Sequence, residues 1–144
     1  MPIVSESTNV NAPPERIFQM LEDPKRAETF IPGLTRIANV SDGAWSVGTS
    51  WDYEFDWFGL VVNGHSECTR FERPTLYQFK TVTGNPSTWT YRIDRAGTGS
   101  RLTLEVDYEV PDTILAKFSR GVLEQMNQKR AGEIVSNLRA LVED

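Results

Sequence analysis

Residues able to carry out chemistry are scarce in this chain of 144 residues, which has one histidine, His65, and one cysteine, Cys68. A structural zinc site takes four ligands, mostly Cys and His, so these two residues cannot complete one. A serine nucleophile would have to recruit His65 as its base, and the chain has no G-x-S-x-G turn. It also lacks the G-x-G-x-x-G and G-x-x-x-x-G-K-[ST] phosphate loops. The sequence therefore predicts a protein that uses no metal, nucleotide or other cofactor.

Aromatic side chains are more numerous, and many of them fall on one face of a predicted strand. Between residues 49 and 58, Trp51, Tyr53, Phe55 and Trp57 alternate with serine and acidic residues, the pattern of a half-buried antiparallel strand. Each could be an ordinary core residue. As a group they favour the wall of a ligand cavity, because buried Trp and Tyr still need partners for their N–H and O–H groups. The residues predicted to line this cavity are Trp51, Tyr53, Phe55, Trp57, Phe79, Trp89, Tyr91, Leu104, Phe118, Val122 and Met126.

Three polar residues are candidates for the interior of that cavity. Glu6 has the inward parity of its strand, and a carboxylate that faces an apolar cavity has a raised pKa unless a cation pairs with it. Arg130 interrupts the apolar stripe of the last helix and is a candidate for this cation. In the alternative arrangement, Glu6 reaches solvent from an edge strand and Arg130 extends outward. The third candidate is Cys68, expected as a small buried residue without chemistry.

The strand at 60–72 can face in either of two ways. If its even-numbered residues point inward, Cys68 lies inside; if its odd-numbered residues do, His65 lies inside. A bulge at Gly59 or Gly64 would exchange the two faces. We favour Cys68 inside, with His65 as a surface or hydrogen-bonded residue and not a general base.

The order of the elements predicts an α+β fold in a single domain that spans residues 1–144. A strand at 3–11 precedes a helix capped by Asn11, and a second short helix covers 24–30. Alternating strands continue to about residue 110, and residues 112–143 have the period of one long helix. One apolar helix face and one aromatic sheet face must cover each other. We therefore expect a curved, seven-stranded antiparallel sheet with the long C-terminal helix across its concave face.

Composition and charge exclude several classes of partner. Fifteen basic and twenty acidic residues give a net charge of −5, which argues against nucleic acid. The apolar runs are too short to span a bilayer, so we expect no stable membrane insertion. The first residues show no basic segment followed by an apolar core, so we expect no secretory signal, and the single cysteine fits a reducing compartment. We expect a cytoplasmic monomer or weak homodimer.

Short motifs along nearly the whole chain occur in the same order as in a known protein superfamily. They are NAPPERIF (11–18), LEDP (21–24), FIPG (30–33), VGT (47–49), FERP (71–74), GTGSRLT (97–103) and NLRALVE (137–143). With the order of elements, this set resembles the START and birch-pollen-allergen-like superfamily, also called SRPBCC, in its polyketide cyclase/dehydrase-type members. The resemblance implies the helix-grip fold. It also implies binding of lipids, hormones, polyketides or flavonoids, and in a minority of members cyclisation, dehydration or condensation.

Three functions remain open from the sequence. The leading one is the binding or carrying of a small hydrophobic ligand, whether aromatic, polyketide-like or lipid. The second is a cyclase, dehydratase or aromatase that uses cavity tyrosines with a carboxylate or a histidine as acid and base. The third is a protein-interaction or assembly module with a filled interior and an exposed apolar patch. No residue is assigned a catalytic role, and the ligand is not identified.

Overall fold

The alternating strands of the sequence form one antiparallel sheet. The computed structural model describes residues 3–43, 46–57, 59–84, 86–110 and 112–143. Its strands are β1 Ile3–Val10, β2 Leu34–Ala38, β3 Ser50–Trp57, β4 Leu60–Glu72, β5 Leu76–Thr81, β6 Ser87–Ala96 and β7 Gly99–Tyr108. They lie in the order β1-β7-β6-β5-β4-β3-β2, with every neighbouring pair antiparallel. The predicted seven-stranded sheet is confirmed.

Helical segments occupy both ends of the chain. They are α1 Pro14–Leu21, a 3-10 helix Pro24–Thr29, α2 Asp112–Leu115 and α3 Arg120–Val142. None of the helices in the described part of the chain is long and apolar enough to cross a membrane.

The first two helical segments are close to their predicted bounds, but one predicted cap is wrong. Pro13 holds the N-cap position of α1 and makes no side-chain cap. Asn11, the predicted cap, lies outside the helix, and its backbone N–H donates to a carboxylate oxygen of Glu143 at 2.6 Å. The 3-10 helix is capped as expected of an Asx residue, with Asp23 accepting from the N–H of Lys25.

The single helix predicted over 112–143 is divided in the structure. α2 ends at Leu115, and α3 begins after Ser119, whose hydroxyl oxygen accepts from the N–H of Val122 at 3.2 Å. Because this cap starts a new helix, the residues before and after the break do not share one stripe. Val122, which was predicted to line the cavity, is 44% exposed, and Leu141 near the end of the helix is 47% exposed. The buried residues of α3 are Leu123, Ala131, Ile134, Val135, Leu138 and Val142.

Two side-chain hydrogen bonds hold α3 in place, one to β1 and one to the turn after the 3-10 helix. Gln128 Nε2 donates to the carbonyl of Ser5 in β1 at 2.9 Å, and Asn137 Nδ2 donates to the carbonyl of Phe30 at 3.1 Å. α3 packs mainly on β1, with smaller contacts to α1 and β7. The segment that runs from α1 to β2 faces the inner side of β3 to β6.

The burial of its residues settles the facing of β4, and a bulge exchanges the two faces after Cys68. Cys68 is fully buried, whereas the side chain of His65 is 40% exposed, so the even-numbered residues point inward in this half of the strand. Cys68 pairs with Phe79 and Arg70 pairs with Gln78, which leaves Thr69 as an extra residue. The bulge lies at Thr69 and at neither of the two glycines considered from the sequence.

Candidate functional site

An apolar cavity lies between strands β3 to β6 and the segment that runs from α1 to β2. The space open to the centre of a water-sized molecule is about 90 Å³, which is room for several waters. Seven of the eleven predicted residues line it, and we call it the aromatic cavity after them: Trp51, Tyr53, Phe55, Trp57, Phe79, Trp89 and Tyr91. That these side chains contact a ligand stays a prediction.

The other four predicted residues lie outside this wall. Leu104 is fully buried in the core, and Phe118 and Met126 are half-buried. Val122 is exposed on α3. Val122 and Met126 lie on α3, which packs mainly on β1, and Phe118 precedes this helix.

One part of the wall was missed by the sequence interpretation. It consists of apolar residues from the end of α1 to β2: Leu21, Pro24, Ala27, Phe30, Ile31, Leu34 and Ile37. These residues come from a 3-10 helix, a turn and a short strand, so they show neither period two nor the α-helical period. The only sequence signal was the concentration of apolar residues around the FIPG motif.

Hydrogen bonds hold most polar tips of the wall in place. The Tyr53 hydroxyl donates to the carbonyl of Thr83 at 3.0 Å, and Trp89 Nε1 donates to the hydroxyl oxygen of Ser87 at 3.0 Å. A Cβ at Gly64 would lie 2.6 Å from the Tyr53 hydroxyl, so the absence of a side chain there lets the ring reach Thr83. The wall is thus held in place by its own bonds.

Tyr91 differs from these residues. Its side chain lines the cavity and is 1% exposed, and its hydroxyl has no hydrogen-bond partner in the described part of the chain. The ring stacks on that of Tyr77, with centroids 6.0 Å apart. Burial raises the pKa of both phenols, so both keep their protons at neutral pH. The Tyr91 hydroxyl is therefore a neutral donor available to a ligand in an apolar wall.

A second space adjoins the aromatic cavity under α3, and we call it the α3 chamber. The volume of this chamber that is open to the centre of a water-sized molecule is about 60 Å³. Phe55, Trp57, Ser87 and Trp89 line both spaces. The remaining wall of the chamber consists of Val4, Val106, Tyr108, Asn127, Arg130, Ala131 and Ile134.

Of the three predicted polar residues, Arg130 alone lines one of these two spaces. Its guanidinium carbon lies 5.1 Å from the centroid of the Phe55 ring, and burial lowers its pKa against the opposing charges of Glu133 and Asp56. Glu6 is half-buried and lies beside Gly132, where its carboxylate is 3.4 Å from the position of an added Cβ. It lines neither space, so the prediction that places it in the cavity is wrong.

Cys68 is the third predicted polar residue. It is fully buried and lies outside the wall of both spaces. Burial raises the pKa of its thiol to about 11, so the thiol stays protonated at neutral pH. It is a small core residue, as expected, but it is not a cavity group.

His65 is held at the surface, away from the cavity. Its Nδ1 lies 2.8 Å from Asp52 Oδ1, and Asn39 Nδ2 donates to the other oxygen of Asp52 at 2.7 Å. Hydrogen bonds from Asn39 and then His65 lower the pKa of Asp52. Within the described ranges, no three His, Cys, Asp or Glu side chains come together in a way that could hold a metal ion.

Comparison with protein families identifies the chain at the level of the family. The family model described as "Polyketide cyclase / dehydrase and lipid transport" matches residues 1–143. The chain belongs to this family. A search of curated proteins finds no match.

Three solved structures show how similar this fold is to those of known proteins. The protein TTHA0849 from Thermus thermophilus has 19% identity and a TM-score of 0.83, and the match covers 98% of this chain and 97% of that one. A START superfamily protein from Mycobacterium smegmatis has 12% identity and a TM-score of 0.80, with 97% and 96% covered. The Zhui aromatase/cyclase from Streptomyces sp. R1128 has 14% identity and a TM-score of 0.78, with 98% and 93% covered. At these identities the likeness shows the helix-grip fold of the cyclase and lipid-transport family.

Proposed function

We propose that this protein binds a small, largely apolar molecule in the aromatic cavity. The observation that carries the proposal is the Tyr91 hydroxyl, buried in an apolar wall with no partner in the described part of the chain. Buried polar groups in proteins are nearly always hydrogen-bonded, so this hydroxyl is a donor that an acceptor atom of a bound molecule can satisfy. The ligand is therefore an apolar body with at least one polar atom that reaches Tyr91.

The ionisable groups of the wall favour binding over acid–base catalysis. In the described ranges, those that line the aromatic cavity are the phenols Tyr53, Tyr77 and Tyr91. Because burial raises the pKa of Tyr77 and Tyr91, these groups donate hydrogen bonds but do not accept a proton as a general base at neutral pH. The site as described can hold and orient a ligand, and its wall supplies no acid–base pair.

Affinity follows from the apolar area that the ligand buries. At about 25 cal/mol per Å², a ligand that buries on the order of 200 Å² gains roughly 5 kcal/mol before the costs of association. One hydrogen bond to Tyr91 adds about 0.5–1.5 kcal/mol. We therefore expect micromolar binding at best, with a negative heat-capacity change.

The test is calorimetric titration with two probes of the same shape, 4-ethylphenol and ethylbenzene. The wild type should bind both, and Tyr91→Phe should weaken the phenol several-fold while it leaves ethylbenzene unchanged. Ala27→Phe should abolish both, because Ala27 lines the cavity and a benzyl group there fills it. Ala116→Phe is the matched control, since Ala116 is exposed beyond α2 and lines neither space. Saturable binding that survives Ala27→Phe would place the ligand elsewhere, and no binding of either probe would contradict the proposal.

A further inference from the structure

We propose that the α3 chamber receives a carboxylate group of the ligand, so that the preferred ligands are small apolar carboxylic acids. This inference rests on the proposed function, since the apolar body of the same molecule occupies the aromatic cavity. Asn127 and Arg130 are the residues that would hold the carboxylate.

Asn127 provides a buried donor. Trp57 Nε1 lies 3.3 Å from Asn127 Oδ1, and an indole N–H can only donate, so the amide must turn its oxygen toward Trp57. The amide nitrogen Nδ2 then faces away from Trp57. This nitrogen is buried and has no hydrogen-bond partner in the part of the chain that the structure describes. An acceptor atom of a ligand in the chamber would satisfy it.

Arg130 provides the charge next to that donor. Its guanidinium lies over the face of Phe55, a contact that suits the flat, weakly hydrated arginine head group, and its Nη1 atom is buried. No carboxylate is present among the described residues that line the chamber. Glu133 and Asp56 lie near enough to act on the arginine by charge but are not part of the wall. In the described wall of the chamber, Arg130 therefore supplies the positive charge and Asn127 supplies a donor.

The backbone places both residues on the inner face of α3. Leu123, Asn127, Arg130 and Ile134 follow one another at the spacing of a single helical stripe, so the two polar residues are one turn apart and point the same way. Gly33 makes room on the opposite side. A Cβ there would lie 3.1 Å from Arg130 Nη1 and 2.8 Å from the carbonyl of Asp56, and its φ of +90° is a conformation that glycine adopts without strain.

The shape and charge of the chamber favour a carboxylate over a phosphate. Two planar donors, an amide and a guanidinium, match the two oxygens of a carboxylate, whereas a phosphate brings more charge and needs more donors than this wall holds. The four residues that line both spaces link the chamber to the aromatic cavity. One molecule can therefore place an apolar body in the cavity and an acidic head under α3.

The test compares 3-phenylpropanoate with 3-phenylpropan-1-ol by calorimetric titration of the full chain. The wild type should bind the acid about ten- to a hundredfold more tightly than the alcohol, the range of a charge-assisted hydrogen bond. Arg130→Gln should remove most of this preference and leave the alcohol affinity within about twofold. Asn127→Asp keeps the acceptor for Trp57 but replaces the donor with a negative charge, so it should weaken the acid alone. Lys129→Gln removes a charge from the exposed face of the same turn and should change neither affinity.

The outcomes separate this inference from the proposed function. If the wild type binds the alcohol as tightly as the acid, the carboxylate assignment is wrong while cavity binding stands, and this comparison requires no variant. If Lys129→Gln lowers acid binding as much as Arg130→Gln, the preference arises from general surface charge and the assignment is again wrong. If neither probe binds to the wild type, both proposals fail.

Discussion

Two buried donors without partners, the Tyr91 hydroxyl and the Asn127 amide nitrogen, are the most informative single groups in the described part of the molecule. A donor that leaves water and gains no acceptor lowers the stability of the folded state. Both line the connected spaces under the sheet and α3, which is where a ligand would supply acceptors. At the residue scale, a ligand that supplies an acceptor to each of these donors should therefore add to the stability of the folded state.

The stability of Tyr91→Phe tests this cost directly. Because the lost hydroxyl has no partner among the described residues, the variant should keep the wild-type free energy of unfolding or gain up to about 1 kcal/mol. Tyr53→Phe is the matched control and should lose about 1 kcal/mol, since its hydroxyl donates to Thr83. Urea denaturation measures both. A loss in Tyr91→Phe as large as that in Tyr53→Phe would show that the hydroxyl is satisfied without ligand.

At the scale of elements, the break between α2 and α3 decides which residues face the ligand. Ser119 restarts the helix, and the new phase puts Asn127 and Arg130 on the inner face while Val122 turns outward. Asn127 and Arg130, where polar residues interrupt the apolar stripe of the last helix, line the chamber.

Removal of this cap should weaken α3 measurably. Ser119→Ala loses the bond from the Val122 N–H, so we expect a loss of about 1 kcal/mol in the free energy of unfolding. Ser136→Ala is the control, because Ser136 is exposed in the middle of α3, where alanine is the better helix former. In both thermal and urea unfolding, Ser119→Ala should therefore be less stable than the wild type and Ser136→Ala should be more stable. Equal effects would mean that Ser119 does not set the start of the helix.

At the scale of the whole molecule, the sheet could be predicted from the sequence because the alternation of apolar and polar residues along a strand is a local pattern. Trp51, Tyr53 and Trp57 alternate with polar residues, and each lies on the inner face as their parity requires. The wall between α1 and β2 could not be predicted in this way, because Ala27 and Ile31 turn inward from a short 3-10 helix and a turn, which show neither period two nor the α-helical period. Of the residues that line the α3 chamber, Phe55, Trp57, Trp89 and Arg130 were predicted as cavity residues, whereas Asn127 was not.

The two ends of the described chain are joined by Glu143, and this contact should depend on pH. Its carboxylate accepts from the Asn11 N–H and from Arg139, and these bonds, the first above all, lower its pKa below the ordinary value of 4.5. A carboxylate with a lowered pKa stabilises the folded state above its unfolded pKa, and this contribution disappears as the pH falls through the folded value. Glu143→Gln should therefore be less stable than the wild type at neutral pH and equal to it in acid.

Urea denaturation from about pH 7 down to about pH 3 measures this difference. Glu124→Gln, an exposed glutamate on α3, is the control and should run parallel to the wild type throughout. A gap between Glu143→Gln and the wild type that stays constant with pH would show that the contact depends on shape and not on charge.

The extra residue in β4 has a consequence for how the length of this chain can vary. Loss of Thr69 would leave Cys68 and Phe71 on the side of the sheet that each occupies now, because the strand would then pair with β5 residue for residue. Loss of one residue between 61 and 67 would instead carry part of the strand to the opposite face. Thr69 is thus the position in β4 where relatives can differ by one residue and keep the same interior. Relatives that lack this residue would have a flatter sheet around the same aromatic side chains.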